Sequence, residues 1–240
     1  MSAPGKAGFP GPRHSGPKGP ARSSGRRASA RGVALDALLR VEEGGYSNLV
    51  IDHALAKGGL GRLDSAFVTQ LFYGVLERRI TLDAILGRFS KIPVESLNPI
   101  ARMSLRMGIY QIVYMDKVPP SAAVNEAVNL VKQSREGRAA GYVNGVLRAV
   151  LRSENPTALP EGETPHERLS LSASVPLWLA EHLCASYGEE CAGALLSMSF
   201  GRPPLHLRAN SIRLSPKELC VQLEKEGIAA SPADVCPGAV

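Results

Sequence analysis

Hydrophobic side chains recur at helical spacing through residues 117–152, and this periodicity constrains the fold more than any other feature of the sequence. In the second half of the segment, Asn144, Arg148 and Arg152 fall outside the apolar stripe. The stripe itself consists of Val143, Val146, Leu147, Val150 and Leu151. Such spacing is typical of an amphipathic helix. Since a similar helix follows Pro119-Pro120, the segment predicts two helices joined by a basic turn.

The same periodicity begins at Arg31 and continues through most of the preceding sequence. Gly44-Gly45 and Gly58-Gly59 predict the ends of the first two helices. A longer apolar pattern follows Asp64 and is expected to bend or divide at Gly74 or at Arg78-Arg79. Asn98 followed by Pro99 has the residues of a helix start. Residues 31–153 therefore predict an all-α bundle of six or seven helices without strands.

The sequence after this bundle changes character three times. Residues 154–168 are rich in Pro, Glu and Gly, a composition that predicts a linker. The periodicity of residues 169–201 predicts a helical connector in which Trp178 and Leu195 face inward. Alternation over 205–209, a capping box at Ser215–Glu218 and a second strand from Ile228 predict β-α-β in 202–240. Because so small a unit is not stable alone, we expect the truncated start of an α/β domain.

The positive charge is concentrated in residues 1–30, which are rich in Gly, Pro, Ser and Arg and predict a disordered tail. Residues 1–31 contain seven Lys and Arg and no Asp or Glu, although the whole chain carries 28 against 22. A basic tail favours an anionic partner such as nucleic acid, but it is equally compatible with a solubilising extension. An organelle transit peptide is the weaker alternative, because four prolines oppose an amphipathic helix.

The sequence offers no catalytic, cofactor-binding or metal-binding residues. Its five histidines are scattered, and it contains no phosphate-binding loop and no glycine-rich motif after a strand. The four cysteines form no C-x-x-C pair, and no apolar segment is long enough to span a bilayer. We therefore expect a cytoplasmic protein with reduced thiols and no membrane partner.

Basic residues within the helical region make RNA the expected partner. Taken singly, each of them is expected to lie on a solvated helix face, but together they favour RNA contact. They are Arg78, Arg79, Arg102, Arg106, Lys132, Arg135, Arg138, Arg148 and Arg152.

Several tracts resemble a known family. The segments ARGVALDALLRVEEGGYSNLVIDHAL (30–55), LFYGVLERR (71–79), VPPSAAVNEAVNLVK (118–132) and YVNGVLR (142–148) are similar to NusB, an all-α RNA-binding fold. They resemble more closely the NusB-like N-terminal domain of the bacterial 16S ribosomal RNA cytosine-C5 methyltransferases (RsmB/Sun/Fmu). Residues 169–240 resemble the stretch that joins that domain to the methyltransferase core.

The resemblance implies a specific function. It carries the family's RNA-contacting basic segment to Arg26, Arg27 and Arg31, and we add Arg78, Arg79, Lys132 and Arg148 as candidate RNA-binding residues. In that family a cysteine thiolate attacks C6 of cytosine before methyl transfer from S-adenosylmethionine. Nothing in these 240 residues matches the glycine-rich or Pro-Cys motifs of that step, so we expect no S-adenosylmethionine binding and no activity from them alone.

The leading hypothesis is thus the substrate-recognising part of a 16S ribosomal RNA methyltransferase. The alternatives are a NusB-like antitermination factor with a ribosomal-protein partner, and a helical interaction protein that binds no RNA. Residues 169–240 argue against the first alternative, because NusB alone is expected to end near residue 155.

Overall fold

The computed structural model describes residues 29–198, 200, 205–233, 236 and 238–240. The chain divides into two compact units, the first ending at Pro160 and the second beginning at Glu161. The predicted disordered tail lies outside the described residues, except for Ser29 and Ala30. Within the described ranges, no helix combines the length and the apolar character needed to cross a membrane.

The first unit is the predicted all-α bundle, and its described residues form seven α-helices. These are α1 (Ala30–Glu42), α2 (Ser47–Gly58), α3 (Arg62–Glu77), α4 (Arg79–Phe89), α5 (Pro99–Tyr114), α6 (Pro120–Gln133) and α7 (Ala140–Arg152). Short 3-10 turns at Val94–Ser96 and Gly137–Ala139 precede α5 and α7. The long apolar pattern divides at Arg78, which ends α3 and caps α4.

Helix α5 is the centre of this bundle and packs against α1, α3, α4, α6 and α7. It starts as the sequence predicts, because the Asn98 side chain accepts a hydrogen bond from the Ile100 amide at 2.9 Å and Pro99 occupies the first turn. Ten of its sixteen residues are buried, including every residue from Met103 to Gln111. Because α5 is covered on all sides, its position determines where the surrounding helices lie and which of their faces reach the surface.

Two glycines let neighbouring helices approach α5 closely. A Cβ at Gly74 of α3 would lie 2.0 Å from the ring of Tyr110, and a Cβ at Gly108 would lie 2.7 Å from Leu147 of α7. Tyr110 and Leu147 are both buried, and Leu147 has no exposed surface. The two contacts fix the positions of α3 and α7 on α5, because neither large side chain has space to retreat.

The second unit begins with three short helices, α8 (Pro165–Ala173), α9 (Leu177–Tyr187) and α10 (Glu189–Met198). The sequence analysis did not predict α8, which starts with a capping box between Thr164 and Glu167. Helices α9 and α10 bury four residues, three of which are small. They are Ala180, Cys184, Ala192 and Leu196. The predicted inward positions of Trp178 and Leu195 are wrong, since 65% and 46% of their surfaces are exposed.

The rest of the second unit contains α11 (Pro216–Lys225) and a short stretch of paired extended backbone. Helix α11 begins at the predicted capping box, where the Ser215 side chain accepts from the Glu218 amide. The extended segment near Leu207 pairs with the end of the chain and not with a strand at Ile228. The Leu207 and Val240 amides donate to each other's carbonyl oxygens at 2.8 Å, around an antiparallel bridge between Arg208 and Ala239.

The contact between α5 and α7 predicts the effect of adding one methyl group. We expect Gly108→Ala to lower the free energy of unfolding by about 1–2 kcal/mol, because overpacking costs about 1–3 kcal/mol and better helix propensity offsets at most about 1 kcal/mol. Urea denaturation followed by far-UV circular dichroism measures the change.

Gly145→Ala on α7 is the matched control, because a Cβ there meets no atom within 4 Å. It should raise the free energy of unfolding by about 0.5–1 kcal/mol. Equal stability of the two variants would contradict the close packing of Leu147 on Gly108.

Candidate nucleic-acid interface

Helices α6 and α7 form an open groove on the surface of the first unit. Its volume is about 450 Å³. Its lining residues come from both helices and are Asn125, Val128, Asn129, Lys132, Ala140, Gly141, Asn144 and Arg148. The groove therefore lies in the segment whose periodicity first indicated the helical fold.

The amphipathic pattern of α6 and α7 explains why polar residues line this groove. Helix α6 buries Ala123, Val124, Ala127, Val128 and Val131. Its remaining face presents Asn125, Asn129 and Lys132, which are spaced by four and three residues and so lie in one row. Helix α7 buries its valines and Leu147 in the same way and presents Gly141, Asn144 and Arg148.

Two cations lie in the groove, and one of them is held by an amide. The Nε of Arg148 donates a hydrogen bond to Oδ1 of Asn144 at 3.1 Å, which orients the guanidinium plane. Lys132 is exposed, and its ammonium makes no ion pair within the described chain. No carboxylate is among the lining residues. The groove thus offers positive charge and amide groups, a combination suited to phosphate and nucleobase.

A second concavity of about 260 Å³ lies between α1 and α2 and is electrostatically different. It contains Arg40, His53 and Lys57, but Asp36 lies among them. Burial raises the pKa of Asp36, and the nearby Arg40 opposes that shift. Because this carboxylate accompanies the cations, the α6–α7 groove is the better anion site of the two.

The five described candidates among the predicted RNA-binding residues lie at three places, namely the groove, the junction of α3 and α4, and the start of α1. Lys132 and Arg148 come together in the groove. Arg79 is exposed at the start of α4, while Arg78 stacks over the ring of Tyr114 with 4.3 Å between the guanidinium carbon and the ring centroid. Arg26 and Arg27 lie outside the described residues.

Arg31, the last of these candidates, is half-buried and makes contacts with α3 and α5. Its Nε donates to Oε1 of Gln111 on α5 at 2.7 Å, and its guanidinium lies over the ring of Phe67 on α3 at 4.9 Å. Burial lowers the pKa of Arg31, and the carboxylate of Glu126 on α6 opposes that shift. These contacts make Arg31 the residue that fixes the start of α1, where the basic tail joins the bundle.

Two arginines that the sequence counted with the basic surface have structural partners instead. Arg106 is 6% exposed and binds both carboxylate oxygens of Asp83 at 2.7 Å. Arg102 donates to Oε1 of Glu42 at 2.8 Å and to the Leu97 carbonyl at 3.0 Å. Since their donors are occupied by groups of α1, α4 and the turn before α5, these cations stabilise the bundle and do not form a free basic surface.

The sequence analysis missed the three asparagines of the groove. Their positions carried a signal, because Asn125 and Asn129 are four residues apart opposite the apolar face of α6. Asn144 lies on the polar side of α7 and precedes Arg148 by one turn. A pair of amides on α6 and an amide one turn before an arginine on the adjacent α7 together indicate a shared polar surface.

Two family matches divide the chain in the same order as its two units. Residues 28–152 match the NusB family. The chain belongs to the NusB family. Residues 175–240 match the ferredoxin-like domain described as Methyltr_RsmF/B-like. The NusB match covers the bundle with the α6–α7 groove, and the second match covers α9, α10 and α11.

Individual relatives agree with both matches. The chain is 33% identical over 216 residues to the probable ribosomal RNA small subunit methyltransferase B of Bacillus subtilis, covering 90% of this chain and 48% of that protein. It is 36% identical over 124 residues to the transcription antitermination protein NusB of Bacillus velezensis, covering 51% of this chain and 92% of that protein. The chain therefore spans about half the length of the methyltransferase that it matches.

The crystal structure of PH0851 has the same fold over most of the chain. The TM-score is 0.61 at 17% sequence identity, and the alignment covers 91% of this chain and 49% of PH0851. The predicted NusB-like helical fold is thereby confirmed.

The α6–α7 groove does not fit S-adenosylmethionine, which carries a sulfonium cation. Lys132 and Arg148 would repel that cation, and no lining carboxylate would offset the repulsion. Gly141 lies within a helix and not in a glycine-rich loop after a strand. We therefore derive no methyl-transfer step from the described residues.

The position of Arg31 predicts a loss of stability on a conservative substitution. Arg31→Lys keeps the charge but loses the planar donor to Gln111 and the stacking on Phe67. We expect the free energy of unfolding to fall by about 1–2 kcal/mol, as for loss of a charged hydrogen bond. Urea denaturation checks this value.

Arg62→Lys is the control, since Arg62 is an exposed residue at the start of α3. Its effect should stay within about 0.5 kcal/mol. If both substitutions left stability unchanged, Arg31 would not anchor the start of α1.

Proposed function

We propose that this chain is the RNA-binding, substrate-recognising N-terminal part of a small-subunit ribosomal RNA cytosine-C5 methyltransferase. In this proposal the chain acts in the cytoplasm on 16S ribosomal RNA. S-adenosylmethionine and the methyl-transfer chemistry belong to the part of the relatives that this chain does not cover.

The observation that carries the proposal is the succession of two family matches in one chain. A match to the NusB family over 28–152 is followed by a match to the RsmF/B-like ferredoxin-like domain over 175–240. The same order is supported by 33% identity along 90% of the chain to a small-subunit methyltransferase.

The groove supplies the physical support for RNA binding. Its two cations and three amides face solvent on a rigid helical pair, without a carboxylate among them. Cations contribute affinity by releasing the counterions of RNA, whereas amides contribute hydrogen bonds that depend less on salt. The basic tail precedes Arg31 in the sequence, and in this proposal its Arg26 and Arg27 add further contacts to phosphates.

An antitermination factor without enzymatic activity is the second candidate function. It is favoured by 36% identity to a NusB protein over 92% of that protein's length. Residues 175–240 distinguish the two candidates, because they match a domain of methyltransferases and lie beyond the NusB match. A ribosomal-protein partner would be expected only for this second function.

The first experiment tests which RNA the chain selects. Labelled transcripts that tile 16S ribosomal RNA are bound to the 240-residue chain and competed with length-matched transcripts of 23S ribosomal RNA and of ribosomal leader sequences. We expect one 16S segment to bind at least about tenfold more tightly than the others, a difference of about 1.4 kcal/mol. Preference for the leader would favour the antitermination factor, and equal affinity for all would contradict both functions.

The second experiment tests whether the groove contacts phosphate. We expect the double variant Lys132→Ala/Arg148→Ala to bind the selected RNA more weakly. The slope of log K against log salt should become shallower by about 0.7 for each phosphate that the altered groove no longer neutralises. Fluorescence anisotropy over a potassium chloride series measures both quantities.

A control of equal charge is the double variant Arg62→Ala/Lys91→Ala, whose two residues are exposed and lie outside the groove. Its slope should remain close to that of the unaltered chain. If the two double variants changed the slope equally, RNA would be sensing net charge and not the groove.

A further inference from the structure

We propose that the α6–α7 groove seats one unpaired base of the RNA, with the base edge on the asparagine amides and the adjoining phosphates on Lys132 and Arg148. This inference rests on the proposed RNA-binding function and adds a base-reading subsite to it.

The floor of the groove is apolar and has space above it. Val128 and Ala140 are buried to 9% and 5% exposure at its base. Gly141 lies in the first turn of α7, and a Cβ added there would meet no atom within 4 Å. A volume of about 450 Å³ falls in the range of small-molecule sites. Val128 and Ala140 expose only a small apolar surface, so they can contact one edge of a base that lies beside the asparagine amides, whereas a phosphate group alone would gain nothing from them.

The walls carry amides whose hydrogen-bonding groups are available. Asn125 and Asn129 are exposed, and within the described chain their side chains make no hydrogen bond. Oδ1 of Asn144 accepts from Arg148, so its NH₂ group points away from that contact as a donor. An amide places one donor beside one acceptor, which matches the edge of a nucleobase.

The two cations lie toward opposite ends of the groove, where each can contact a phosphate of the strand that carries the base. Lys132 lies near the end of α6, next to the start of α7, whereas Arg148 lies about two turns along α7, or roughly 10–12 Å further. A base within an A-form duplex cannot use this arrangement, because its pairing edge is occupied and the major groove is too narrow for side chains. The groove geometry therefore selects an unpaired nucleotide.

The experiment blocks the groove without changing charge. Gly141→Leu projects a side chain into the open space above the floor, and Gly145→Leu places the same side chain on α7 outside the lining residues. Both variants are expected to fold, since neither Cβ meets another atom and leucine favours helix more than glycine. Circular dichroism and thermal unfolding confirm folding before the binding measurement.

We expect Gly141→Leu to weaken binding of single-stranded 16S fragments roughly tenfold, because the leucine side chain occupies the space that the base needs, and Gly145→Leu to leave it unchanged. A duplex of the same sequence should bind more weakly to the unaltered chain and should be insensitive to Gly141→Leu. Polyglutamate of equal charge should compete poorly, because it has no flat base for the floor.

The variant Asn129→Ala tests the amides separately. Homopolymers of the four nucleotides are ranked by affinity for the unaltered chain, and Asn129→Ala should reduce the differences among them while leaving the salt slope unchanged. An unchanged ranking, or equal binding by Gly141→Leu and Gly145→Leu, would overturn the base site and leave the RNA-binding function standing. Failure of the unaltered chain to bind any RNA would overturn the proposed function itself. If polyglutamate competed as well as RNA, the groove would be a site for an acidic peptide and not for a base.

Discussion

The burial of α5 on all sides is the constraint on which the first unit depends. Besides its apolar contacts, α5 buries two polar side chains, Arg106 and Gln111, that have partners on neighbouring helices. Arg106 is satisfied by Asp83 of α4, and Gln111 binds Arg31 of α1 and the Met107 carbonyl of its own helix. Because an unsatisfied buried group is costly, each of these contacts selects one orientation of a neighbouring helix. The glycine contacts at Gly74 and Gly108 then set how closely α3 and α7 approach.

Local signals in the sequence were sufficient for most of the helices and insufficient for their burial. Asn98-Pro99 and Ser215-Pro216 predict helix starts because capping involves only neighbouring backbone groups. Thr164-Pro165 with Glu167 carries the same signal for α8, and the Pro- and Glu-rich composition around it was wrongly given more weight. Trp178 was assigned to the interior on hydrophobicity, yet the buried residues of α9 are the small Ala180 and Cys184, and Trp178 is exposed. The pairing of Leu207 with Val240 spans the length of α11 and had no local signal at all.

The same distinction separates the arginines. Four basic residues cannot be told apart from the sequence, because each occupies a position outside the apolar stripe of a predicted helix. They are Arg102, Arg106, Lys132 and Arg148. The first two meet Glu42 and Asp83, which are 60 and 23 residues away along the chain, so only the tertiary structure shows that they are occupied. Lys132 and Arg148 line one groove together with three asparagines, and no carboxylate is among its lining residues. The sequence therefore predicted part of the candidate site. The two cations could be proposed from their charge, whereas the asparagines could be assigned to the site only once the packing of α6 against α7 was known.

This division of the cations gives the proposed RNA interface two parts with different physical roles. The basic tail and the groove cations act through counterion release, which raises affinity for every RNA and weakens as salt rises. The amides and the apolar floor act at short range, so they discriminate among bases and change little with salt. Arg31 connects the two parts, since its hydrogen bond to Gln111 anchors the start of α1 to α5, and α5 in turn holds α7 through Gly108 and Leu147. A single buried helix thereby sets both the place where the basic tail begins and the position of the groove proposed to read the base.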